Sequence, residues 1–310
     1  DFPLPYVLQW NLNVQQELPG QFLFQLGYTG SGAHKLYFPL NVNMPPPGPG
    51  AIDARRPIRG FGNVFHYAPL FNSTYHALLA KMERRFARGF SLLASYTWGH
   101  SIDGGANNND QNDPGPQDPR NLKAHRGNSN FDVKHRFVLS GVWELPFGKG
   151  RPFLASSAVG NAILGGWQLS GITSAQTGQP FTVTLNFDPS NTGATARPNR
   201  LRDGSLPAGQ RDPVRWFDLD AFAAAPAYTY GNSGRNILRA PGLVNTDLGV
   251  ARTFTLTERV RLRFRGEFFN LFNTPQFGLP EMSIGTPGVG IIGTVVMPER
   301  QIQLALQLSW

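Results

Sequence analysis

The clearest alternation of apolar and polar positions lies near the C-terminal end of the chain. Val260, Leu262, Phe264 and Phe268 fall on one side of a two-residue repeat, and Arg259, Arg261, Arg263, Arg265 and Glu267 on the other. That period specifies a strand rather than a helix. The last segment repeats it, with Ile302, Leu304, Leu306, Leu308 and Trp310 set against Gln301, Gln303, Ala305, Gln307 and Ser309. Two arrangements accept such strands. In a soluble sandwich the apolar face meets a second sheet and the polar face meets water. In an outer-membrane barrel the apolar face meets lipid, the polar face lines the interior, and strands of about ten tilted residues cross the bilayer.

The same alternation recurs along the chain. Leu8, Trp10, Leu12 and Val14 form one face of a first strand, Pro19-Gly20 turns, and Phe22 to Tyr28 return. The segment from Ser31 to about Phe71 contains Pro45-Pro46-Pro47 and reads as a long loop. Ser73 to Phe86 and Phe90 to Trp98 predict a hairpin turning at Arg88-Gly89, and a polar loop spans Gly104 to Asn130. Asp132 to Leu145 and Ile163 to Thr173 give the next pair, turning over Pro146 to Pro152. The longest connection runs from Ser174 to about Leu243, with Phe181 to Leu185 as a strand extension or edge. Leu248 to Leu256, Arg259 to Phe268 and Ile302 to Trp310 complete nine strands, with a loop from Asn273 to Glu299. Short turns and long loops alternate, as in barrels with short periplasmic turns and long extracellular loops, whereas a sandwich has no reason to sort them.

Composition narrows the choice. Charged residues make up 15% of the 310-residue chain, while 35 Gly and 26 Pro imply abundant turns. The absence of cysteine excludes a disulfide framework and a thiol nucleophile. No run of 18 apolar residues occurs, so strands are the available route across a membrane. No signal peptide precedes Asp1, which fits a mature, processed or partial chain. The formal charge of +8 raises the question of nucleic acid. The arginine stripe lacks aromatics on its own face, so nucleic acid is not an expected partner. Arg259, Arg261, Arg263, Arg265 and Glu267 are expected to line the lumen, paired with acids such as Glu267 or Asp247, and Val260, Leu262, Phe264 and Phe268 to face lipid.

Several stretches resemble the Oar-like TonB-dependent transporters of the outer membrane. They are Tyr75 to Asp103, Phe131 to Gly150, Gly231 to Phe254 and Arg265 to Gly278, together with the terminal aromatic. The resemblance implies an all-β, antiparallel transmembrane barrel of about 22 strands, of which residues 1 to 310 form the C-terminal segment. It also implies an N-terminal plug, an energy-coupling box and often a further domain, none of which is present in these residues. The odd strand count agrees with an incomplete barrel. Implied partners are outer-membrane lipid, the barrel assembly machinery, the TonB system acting through the missing N-terminal regions, and an extracellular ligand that the loops do not identify. Ile302, Leu304, Leu306, Leu308 and Trp310 resemble the C-terminal signal read by the assembly machinery. The implied function is energised uptake, with no cofactor.

Sharper chemical readings find little support. Asn107 to Asp113 is acidic and amide-rich, but lacks the glycine and distal glutamate of an EF-hand. His76, His100, His125 and His135 have no metal-ligand spacing. No Gly-x-Ser-x-Gly, Walker loop or paired-carboxylate constellation occurs, so an enzyme is not expected. Trp10, Trp98, Trp143, Trp167 and Trp310, with Tyr6, Tyr28 and Tyr96, suit interface girdles. Two alternatives accommodate the same strands: a surface-organising or adhesive barrel without transport, and a soluble β-sandwich binding module.

Overall fold

The computed structural model describes residues 3–105 and 115–310; the Asn107 to Asp113 segment lies outside them. One antiparallel sheet dominates. Its long strands are β1 (Tyr6–Leu18), β2 (Phe22–Asn41), β3 (Phe65–Ala87), β4 (Phe90–Asp103), β5 (His135–Glu144), β6 (Trp167–Gln176), β7 (Leu243–Thr255), β8 (Arg261–Phe269) and β9 (Gln301–Ser309). Each pairs with the next in sequence, so the sheet is an open meander with β1 and β9 at its edges.

The register sorts every strand into the same two faces, because directly opposite residues share a side of the sheet. Tyr28, Leu78 and Trp98 fall in one row, continuing to His135. Phe254, Leu262 and Leu308 form another row on that apolar face. The other face carries Gln25, Lys81 and Ser95 in one row and Gly249, Glu267 and Gln303 in another. Aromatic rings gather near both ends of the apolar face. On β4, Phe90 and His100 are ten residues apart, roughly 25 Å of membrane depth at about 3.3 Å per residue and about 40° of tilt. That spacing matches the height of an outer-membrane apolar band.

Three of the four connections at one end are tight turns (19–21, 88–89 and 256–260), whereas the turn expected over Pro146 to Pro152 is a longer connection spanning 145–166. Arg88 and Gly89, both at positive φ (53° and 78°), make the two-residue turn between β3 and β4, the left-handed pair that a primed hairpin turn requires. At β7–β8, the N–H groups of Leu256 and Thr257 both donate to the Val260 carbonyl (2.9 and 3.2 Å). This closes the hairpin early, so Arg259 and Val260 lie in the turn rather than on the strand where the alternation placed them.

Three further expectations require correction. The loop expected over Ser31 to Phe71 is shorter, spanning 42–64, because β2 and β3 run on past the membrane-sized stretch. A bulge near Lys35 (φ 58°) shifts the phase of the alternation and hides that continuation. Ile163 lies not on a strand but in a helix, Ala158–Leu164, within the β5–β6 connection. Ser157 caps its N-terminus by accepting from Gly160 N (3.0 Å), and Arg252 donates to the carbonyls of Asn161 and Ile163 at its C-terminal end (3.2 and 3.1 Å). Phe181 to Leu185 extends no long strand. Its residues form two-residue ladders with Leu238–Arg239 and with Ser283–Ile284.

Candidate functional site

The polar face and the long connections at one end of the sheet form the candidate site. Arg261, Arg263, Arg265 and Glu267 share the polar face, opposite Ser309, Gln307, Ala305 and Gln303 of β9 and Thr255, Thr253, Ala251 and Gly249 of β7. Of the two acids expected as partners, Glu267 does pair with an arginine of the stripe, but along its own strand rather than across strands. Arg265 pairs along its own strand with Glu267 (2.5 Å), and Asp247 accepts from Asn245 Nδ2 and the Asn270 N–H (2.9 Å each). The register sets Arg263 between Gln307 and Thr253, neutral hydrogen-bonding side chains that need no charge partner. Further along the sheet a hollow of about 730 Å³ is lined by Glu83, Arg85, Asp247 and Glu267 set among apolar side chains such as Leu93, Val142 and Ile172.

Val260, Leu262, Phe264 and Phe268 divide differently: Leu262, Phe264 and Phe268 lie on the apolar face of β8, and Val260 precedes it in the turn. Ile302, Leu304, Leu306 and Leu308 continue that face on β9, all more than half exposed. Trp310 follows the strand and is 89% exposed.

The long connections are a packed body. Phe181, Val183, Phe217, Ala221, Phe222 and Leu238 form a buried hydrophobic cluster within them, joined by Leu279, Met282 and Ile284 of the β8–β9 connection. This body is tied to the strand ends by buried polar groups, each satisfied as burial requires. The Arg235 guanidinium, fully buried, pairs with Asp103 at the end of β4 and donates from Nε to the His125 carbonyl (3.0 Å). Arg239 pairs with Asp132, whose side chain is 1% exposed and also accepts from the Ser101 N–H (2.7 Å). Asn236 Nδ2 reaches the Asn128 carbonyl (2.7 Å), and Thr182 Oγ1 donates to Asn236 Oδ1 (3.0 Å). The β2–β3 connection joins through Asn191 Nδ2, which donates to the carbonyls of Gly48 and Gly50 (2.9 and 2.8 Å).

Two recesses open in this body. One of about 430 Å³ is lined by Gln117, Asp118, Asn121, His125, Arg197 and Tyr230. Burial, and then the nearby Asp118 carboxylate, raises the Tyr230 hydroxyl above its ordinary pKa, so it stays a neutral hydrogen-bonding group. The other, of about 440 Å³, lies against Gln179, Leu243, Phe277, Leu279 and Val296, with no charged side chain among its lining residues. Sequence reasoning singled out neither recess and neither ion pair. The signal for the pairs was present, since Arg235 and Arg239 stand in the Gly231 to Phe254 stretch and Asp103 and Asp132 in two other stretches carrying the family resemblance. Among the described residues no cluster of three metal-ligating side chains occurs.

An antiparallel meander with one continuous apolar face and one polar face, and with three tight turns alternating with longer connections, defines a transmembrane barrel wall. Residues 1–303 match the model of the outer membrane beta barrel domain family, and the chain belongs to that family. It is a protein of the bacterial outer membrane. Among solved structures it is similar to the outer membrane transporter YddB from Escherichia coli, with 9% identity and a TM-score of 0.49 over 100% of this chain and 33% of that one. The ferripyoverdine receptor of the outer membrane of Pseudomonas aeruginosa, bound to ferripyoverdine, gives 11% identity and a TM-score of 0.45 over 97% of this chain and 27% of that one. The chain thus spans about a third or less of those proteins' length. No curated protein matches the sequence.

Proposed function

We propose that the chain is the C-terminal part of the barrel of an Oar-like TonB-dependent receptor, which takes up a ligand from outside the cell by energised transport and performs no catalytic step. In this reading Arg261, Arg263, Arg265 and Glu267 line a wet lumen, while Leu262, Phe264, Phe268 and the apolar positions of β9 face lipid. The plug and the coupling box belong to parts of the protein outside residues 1–310, and through them the TonB system acts. The observation that carries the reading is the packed body that the long connections build at one end of the sheet, tied to the strand ends by buried ion pairs. Its buried ion pairs and recesses supply a preorganised capture surface, which a purely structural wall does not need.

The test compares spent medium from wild-type cells and from cells lacking the full-length protein, with and without a protonophore. At least one solute is expected to disappear only in energised wild-type cells. If depletion is identical in all cultures, uptake is wrong; if deletion instead abolishes cell attachment, the adhesive reading replaces it.

The terminal segment gives a separate expectation. Ile302, Leu304, Leu306, Leu308 and Trp310 present an apolar edge ending in an exposed indole, which we assign to recognition by the assembly machinery. Deleting Trp310 from the full-length protein is expected to lower the amount inserted far more than deleting one residue of the Asn107 to Asp113 segment. Equal surface levels, measured by labelling intact cells, would remove that assignment.

A further inference from the structure

The two ends of the apolar face differ in chemistry. Among the strand residues of the apolar face, the cations toward the short-turn end are Arg84 and Arg252, and both are engaged within the chain. Arg84 donates to the carbonyls of Gly20 and Phe90 (3.0 and 3.2 Å) and lies over the rings of Phe22 and Phe90. Arg252 donates to Asn161 and Ile163 and lies over Trp167 and Phe254.

The loop end instead carries imidazoles. His34, His76, His100 and His135 are four of the six histidines in the chain. His76 is directly opposite His100, and His135 directly opposite Trp98. Two of them repeat one device. Tyr28 hydroxyl lies 2.7 Å from His76 Nδ1 and Tyr96 hydroxyl 2.7 Å from His135 Nδ1, each pair of rings stacked at 6.1 Å. His76 and His135 are exposed. With Nδ1 engaged by tyrosine, Nε2 is left for a group outside the chain. Tyr6 stacks on His34, and Lys35 Nζ lies over the Tyr6 ring. The acid touching this rim is Asp132, 3.2 Å from His100 Nδ1; its carboxylate is buried against Arg239 and presents no negative charge outward.

We propose that this rim of histidine, tyrosine and tryptophan is a headgroup site for a phosphorylated glycolipid of the outer leaflet. The complementarity is one of donors to acceptors. With the tyrosine hydroxyls donating to Nδ1, the imidazole Nε2–H groups and the Lys35 ammonium face a headgroup rich in phosphate and sugar oxygens, and the aromatic bodies sit at the edge of its acyl region. Ring stacking and the Tyr–His bonds fix the imidazoles in place, so binding orders few side chains. The inference rests on the lipid-facing reading of the apolar face and adds to it which leaflet lipid is recognised and by which groups.

The test uses full-length protein stripped of lipid in detergent, offered purified lipopolysaccharide or phosphatidylglycerol, with bound lipid counted by native mass spectrometry. His76→Phe combined with His135→Phe keeps the rings and removes their nitrogens, and is expected to weaken lipopolysaccharide binding by about tenfold. Phosphatidylglycerol binding is expected to stay the same, as is lipopolysaccharide binding by Arg84→Gln with Arg252→Gln. His76→Gln with His135→Gln restores donors and is expected to recover binding. The proposal is overturned if the phenylalanine pair binds lipopolysaccharide as wild type does, if the arginine pair loses it equally, if phosphatidylglycerol is lost in parallel, or if glutamine fails to rescue. A spin label at Phe264 that is open to dissolved oxygen in lipid shows that the lipid-facing reading stands whatever the rim binds, so the two failures are told apart.

Discussion

Replacing Asp103 by alanine is expected to destabilise the loop body by up to about 3–5 kcal/mol, because it takes from the buried Arg235 guanidinium the Asp103 carboxylate with which it pairs. The side chains of Arg235 and Asp103 are 0% and 7% exposed, so water cannot take the carboxylate's place without opening the packed connections. Asp103→Asn keeps an acceptor and is expected to cost less. The measurement is protease sensitivity of the long connections in intact cells carrying the full-length protein. Asp103→Ala is expected to be cut within 115–242 while the sheet stays assembled and heat-modifiable. Connections as resistant as wild type would mean that the pair is not what holds them, and collapse of the whole barrel would mean that body and wall are one cooperative unit. On the uptake reading, the same substitution links stability to function, since a capture surface built from those connections loses its shape before the wall does.

The sheet was legible because its physics is local. A strand with one face in an apolar medium and one in a polar one must alternate, and β1, β4, β8 and β9 do so almost without interruption. Legibility ended where the phase slipped. The bulge at Lys35 moved the alternation by one position, so the upper parts of β2 and β3 read as loop. The short helix was bracketed by its own signals, Ser157 at its start and Gly165-Gly166 beyond its end. At 7 residues it was overshadowed by the apolar pair Ile163 and Leu164, read as the start of β6.

The candidate site was far less legible, for a different reason. Arg235 lies 132 residues from Asp103, and Arg239 lies 107 from Asp132. Nothing in the spacing of either residue announces a partner at that distance. The Arg261, Arg263 and Arg265 stripe shows the converse. Its face was readable, but its partners depend on the register with β7 and β9, which places neutral side chains opposite and leaves Glu267 to pair within its own strand.

Phe264→Arg is expected to destabilise the full-length barrel by about 2–4 kcal/mol. Phe264 is one residue from the middle of β8, opposite Leu306 and Arg252, with its ring edge-on to Trp167 at 6.0 Å. On the lipid-facing reading proposed above, a guanidinium there meets hydrocarbon, loses the aromatic contact and is set against the Arg252 cation. Arg263→Gln, on the opposite face between Gln307 and Thr253, keeps a hydrogen-bonding side chain in a polar setting and is expected to change stability little. A soluble sheet also resists a charge at Phe264, so the decisive measurement is accessibility in lipid. The chain has no cysteine, which lets single labels be placed at Leu262, Phe264 and Phe268 and, for contrast, at Arg261 and Arg263. Labels at the first three are expected to be open to dissolved oxygen and shielded from water-soluble quenchers, with oxygen access falling at the two arginine positions. The register demands a strict two-residue alternation along β8. A profile without it, or one in which the apolar positions are closed to oxygen as well as to water, means that this face is covered by protein rather than by lipid.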